Sequence, residues 1–133
     1  MPYTLIDHTA DIGMRVSAPT VTALFEEAAY ALVDIMSART GEDDVHLRIE
    51  TQGIDHVDLL VRWLQEVLYL VEVKGFRIKE LHIQKLLDTE IQAAAIGAYS
   101  GRLLEKEIKA VTYHNLQIQE VDNAFVTTII LDT

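Results

Sequence analysis

Two hydrophobic periods divide this chain, and no other feature of the sequence restricts its fold as much. Between residues 20 and 38, Val21, Leu24, Phe25, Ala28, Ala29, Leu32, Val33 and Met36 return every three or four positions, the spacing that gathers side chains on one face of a helix. Thr20 is placed to cap that helix, and the stretch 37–41 to end it. A second helix is expected after Gly53-Ile54, with Asp55 as its cap and Asp58 complementing the positive end of its dipole. Its stripe is Leu60, Trp63, Leu64, Val67, Leu68 and Val71, and Lys74-Gly75 closes it. Elsewhere the period is two. Val45, Leu47 and Ile49 alternate with His46, Arg48 and Glu50, the mark of a half-buried strand. Similar runs cover 76–84, 90–99, 115–120 and 125–131, the last two joined across Asp122-Asn123, a pair that favours hairpin turns. With helices in the first half and strands dominating the second, the order predicts an α+β fold: two long helices packed on a mixed or antiparallel sheet in two layers.

The length, 133 residues, fits a single domain spanning 1–133, and 50% hydrophobic residues supply enough apolar surface to offset the entropy of ordering it. Cysteine is absent, which removes disulfides, thiolate metal sites and a cysteine nucleophile, in keeping with a cytoplasmic protein. No run approaches the roughly 18 apolar residues of a membrane helix, and the start lacks a signal-peptide pattern, so neither membrane nor export is expected. The net charge of −10 opposes direct nucleic-acid binding. It is also lopsided: residues 1–72 hold 13 acids against 4 bases, and residues 73–133 hold 8 against 7. A basic protein partner or a cation suits the first part, although acidity alone also serves solubility.

The familiar catalytic motifs are missing. There is no G-x-S-x-G, no H-E-x-x-H, no Walker loop and no G-x-G-x-x-G. What remains is Asp7-His8-Thr9-Ala10-Asp11-Ile12-Gly13, two carboxylates, an imidazole and a hydroxyl within five consecutive residues, the oxygen-rich chemistry that hard cations take. Its spacing is not that of an EF-hand, and a polar turn leading into a strand at 14–17 accounts for the same residues. Asp132 follows an apolar run, so its carboxylate adjoins the terminal one at Thr133, and adjacent anions repel unless a positive charge sits between them. In Lys109-Ala110-Val111-Thr112-Tyr113-His114, strand alternation sets Lys109, Val111 and Tyr113 on one face and Ala110, Thr112 and His114 on the other. His114 is then either a ligand, an acid–base group or an ordinary hydrogen-bonded histidine.

Together these segments resemble the archease family, whose pattern is a near-N-terminal Asp/Glu-His-Thr-Ala-Asp-x-Gly, an internal Lys-x-x-Thr-Tyr-His and a closing apolar strand with a penultimate aspartate. The resemblance covers essentially the whole chain and implies a non-enzymatic protein cofactor of the RNA-splicing ligase RtcB, acting in tRNA splicing. Such a cofactor promotes guanylylation of the ligase, allows multiple turnover and broadens its nucleotide use. It also implies a divalent-metal site, with calcium, at Asp11, Asp132 and Thr133, while Asp7, His8, Lys109 and His114 stand as supporting motif residues. The stretch between Gly101 and Lys109 is short for the family, and Thr133 replaces a frequent closing hydrophobic residue. Two other classes remain open on residues alone. One is a metal-dependent hydrolase or phosphotransferase using Asp7, His8 and Asp11, which lacks a phosphate-cradling loop. The other is a general chaperone, which an exposed apolar patch would favour.

Overall fold

The computed structural model describes residues 3–8 and 11–133. The elements run β1 (Tyr3–His8), β2 (Asp11–Ala18), α1 (Val21–Ile35), β3 (Val45–Gln52), α2 (His56–Glu72), β4 (Phe76–Leu86), β5 (Glu90–Tyr99), β6 (Ala110–Val111), β7 (Ile118–Val121) and β8 (Ala124–Asp132). Both helices start where the sequence places them. The Thr20 side chain accepts from the Ala23 N–H at 3.0 Å, and the Asp55 carboxylate accepts from the Asp58 N–H at 2.8 Å. Their apolar stripes are buried against one another and against the strands, and Trp63 donates its indole N–H to the Phe25 carbonyl at 2.9 Å, tying α2 to α1. Gly75, in the left-handed region at φ 73°, turns the chain from α2 into β4.

The α+β arrangement stands, and the strands fall into two antiparallel sheets. One has the order β1-β2-β8-β6, with β7 also pairing with β8; the other is β3-β5-β4. Among the described residues the one parallel contact is an isolated bridge between Arg39 and Ile78. The Asp122-Asn123 turn forms as expected, both residues at positive φ between β7 and β8. In the second sheet β5 takes β3 in unbroken register, whereas β4 slips twice, between Ile78 and Glu80 and between Ile83 and Lys85.

Three local readings are corrected. Asp7 and His8 close β1, while Asp11 to Gly13 open β2, so the polar segment is mostly ladder rather than a turn ahead of residue 14. The run 109–114 is not a continuous strand: only Ala110 and Val111 are in the ladder. Beyond them the Thr112 N–H and hydroxyl both donate to the Ile130 carbonyl at 3.0 Å, and the hydroxyl accepts from the His114 N–H, after which the chain leaves the sheet. Asn115 then sits at φ 51°, so β7 begins at Ile118 rather than at residue 115.

Candidate functional site

Strand register gathers the separate sequence motifs at one level of the first sheet. His8 pairs with Asp11, Asp11 with Asp132, and Asp132 with Ala110 across four successive strands. The Lys109 N–H donates to the Asp132 carbonyl at 2.8 Å, fixing the internal motif beside the end of β8. On β2 and β8 the neighbours Ile12 and Leu131 pack into the core, so period two turns Asp11 and Asp132 to the opposite face. There Asp132 is exposed and Asp11 partly so, and Thr133 follows directly. Cα atoms directly opposite in such a pair lie about 4.5–5.5 Å apart, and like charges held that way repel. A cation taking oxygen from both removes the repulsion, and the donors at hand, two carboxylates and the oxygens of Thr133, are those a hard divalent ion accepts.

Of the remaining expected residues, Lys109 and His114 are exposed. His114 lies past the bend at Thr112, its Nε2 within 3.4 Å of the Asn115 side-chain nitrogen. The side chains of Asp7 and His8, and Thr9 and Ala10 altogether, lie outside the described residues. Among the described residues no group of three or more His, Cys, Asp or Glu side chains is gathered for a metal; of the residues expected at such a site, the register brings Asp11 and Asp132 together, with Thr133 next in sequence.

Tyr113 has a different task from its motif neighbours. Its hydroxyl donates to Asp58 at 2.6 Å, and Asp58 also accepts from the Ile54 N–H at 2.9 Å and from Arg62 Nε at 3.0 Å. The Tyr113 hydrogen bond, followed by those from Ile54 and Arg62, holds the Asp58 carboxyl below the usual carboxylate range. That same bond, and then burial, pushes the Tyr113 phenol up. The loop after β6 is thereby pinned to the start of α2. A second tie, from Gln65 Nε2 to the Val111 carbonyl at 3.3 Å, holds β6 against the middle of α2. Neither tie is readable from the sequence, because both join segments far apart in the chain with no periodic signal between them. Beside them a cleft of about 280 Å³ runs between α2 and the strand-end segment, lined by Leu68, Tyr69, Val73, Ile108, Lys109 and Ala110.

A sequence model of the archease protein family matches residues 3–133. The chain belongs to the archease family. It is 31% identical to the archease of Archaeoglobus fulgidus and 33% identical to that of Methanopyrus kandleri, in both cases over 99% of each chain. The archease fold is also evident in solved structures. Methanobacterium thermoautotrophicum protein 1598 superposes with a TM-score of 0.75 at 27% identity, covering 99% of both chains. An archease from Thermotoga maritima, described as a possible chaperone, superposes with a TM-score of 0.70 at 22% identity over 96% of this chain and 94% of that one. Among the described residues of this archease-family chain, no helix is long and apolar enough to cross a membrane.

Proposed function

We propose that this chain is a protein cofactor of the RNA-splicing ligase RtcB, serving RNA and tRNA splicing in the cytoplasm by promoting guanylylation and repeated turnover of the ligase and widening the nucleotides it accepts. The observation that carries the reading is the β2–β8 register, which sets Asp11 directly across from Asp132, next to Thr133 and the Lys109 segment. Asp11, Asp132 and Thr133 are the residues the archease resemblance assigns to a divalent metal, and hard oxygen donors in that pairing suit calcium. The ion, when bound, would supply positive charge between the paired Asp11 and Asp132. The protein's own part is differential binding. It accelerates guanylylation only by holding the ligase better in a conformation near the transition state than in the resting one, since equal affinity for both changes nothing. The net charge of −10 favours encounter with a basic partner and disfavours RNA itself, so the ligase rather than its substrate is the contact.

The test is guanylylation of purified RtcB at limiting ligase and excess RNA ends, with and without this protein. Wild type is expected to stimulate, and Asp11→Ala or Asp132→Ala to keep the circular-dichroism spectrum and lose the stimulation. Stimulation retained by both variants would overturn the site, and none from wild type would overturn the function.

A further inference from the structure

The two edges of the three-stranded sheet are finished differently. β4 carries two register shifts and is bridged by Arg39 at Ile78, devices that keep an edge from accepting another strand. β3 has neither. It runs without a shift or a proline, and among the described residues no backbone hydrogen bond from outside its own ladder with β5 reaches it. Val45 and Leu47 point towards the core yet stay partly exposed, as inward residues do where the next strand is missing. Just beyond the strand, Ile54 is 82% exposed.

The outer face of this edge is self-complementary. In an antiparallel pair of identical strands a two-fold axis relates the copies, and residues directly opposite share a face. An axis at Arg48 would oppose two guanidinium groups. An axis at Ile49 instead opposes Arg48 to Glu50 of the second copy and Glu50 to its Arg48, with Leu47 against Thr51 and His46 against Gln52. Arg48 and Glu50 already form an ion pair along the strand within one copy, so both charges stand on that face. The same antiparallel arrangement brings the exposed Ile54 beside the start of the other β3, where Val45 is partly uncovered.

We propose that the β3 edge is a self-association surface on which a second copy of this chain pairs antiparallel about Ile49, joining the two three-stranded sheets into one. The charge pattern selects the register, and the bare edge supplies the backbone hydrogen bonds. This surface lies on the other sheet from Asp11 and Asp132, so its success or failure is independent of the ligase reading.

Sedimentation equilibrium of the full chain, at about 0.15 M salt so that repulsion between the two acidic molecules is screened beyond about 8 Å, tests it. The expected result is a concentration-dependent species of twice 15.0 kDa. Arg48→Glu, which opposes glutamates at both symmetry-related positions, should weaken association about tenfold or more. The swap Arg48→Glu with Glu50→Arg should restore it, with circular dichroism confirming the fold of each variant. A monomer at every concentration, a dimer indifferent to Arg48→Glu, or no rescue by the swap would each overturn the proposal.

Discussion

Gly97 carries no side chain because β4 leaves no room for one. A Cβ at that position would stand 1.8 Å from the Arg77 carbonyl oxygen and 3.2 Å from the Phe76 ring, and a ladder carbonyl cannot retreat without breaking its pairing. Gly97→Ala is therefore expected to cost about 3 kcal/mol as a fall in the urea midpoint; an unchanged midpoint would show the backbones are not in contact. Tyr113 is tested by pH. Because the folded pKa of Asp58 is depressed, its contribution is complete above the unfolded value, about 3.9, and is lost as pH falls through the folded one. Tyr113→Phe should raise the Asp58 pKa in an NMR titration, and the stability gap between wild type and variant should be full at neutral pH and narrow in acid. The raised phenol works at the other end: its contribution is complete below about pH 10 and fades above it, a loss the Phe variant does not show. The sequence displays Tyr113 inside a motif, but its partner Asp58 is read there only as a helix-dipole residue, since nothing local joins the two.

Trp63 is where α2 meets α1. The ring is fully buried, and its N–H satisfies the Phe25 carbonyl. Trp63→Phe keeps much of the apolar contact and leaves that carbonyl without its donor, so a loss of about 1–3 kcal/mol is expected in urea unfolding; a smaller change would mean that another donor replaces the indole. At this scale the sequence is legible wherever a period runs long enough. Both helices and their caps, β5 and the β7–β8 hairpin stand where spacing and turn chemistry set them. β1 goes unread because Tyr3-Thr4-Leu5-Ile6-Asp7-His8 does not alternate, and Leu5 on it remains largely exposed. The run 109–114 reads too long because the Thr112 hydroxyl takes the His114 N–H just past the last ladder bond, a local side-chain bond that a period cannot register.

The division of the strands into two sheets is not legible, because which strand lies beside which is decided by long-range pairing. The same holds for the candidate site. Asp11 and Asp132 are visible separately as odd carboxylates, and only the β2–β8 register sets them face to face. On the proposed reading, calcium at about 100 times its Kd should add about 2.7 kcal/mol to unfolding of the wild type and nothing to Asp132→Ala. A thermal melt with and without the ion checks this, and equal shifts in both proteins would place the ion elsewhere. The pairing also fixes when the site comes into being. β2 and the strand that completes its carboxylate pair stand far apart in sequence, and Asp11 meets Asp132 only through their register. Closing such a distant contact is among the slower steps of folding, so the carboxylate pair forms only when β8, whose Ile129 and Leu131 are fully buried, docks on β2, and the site and that part of the core are completed in the same step.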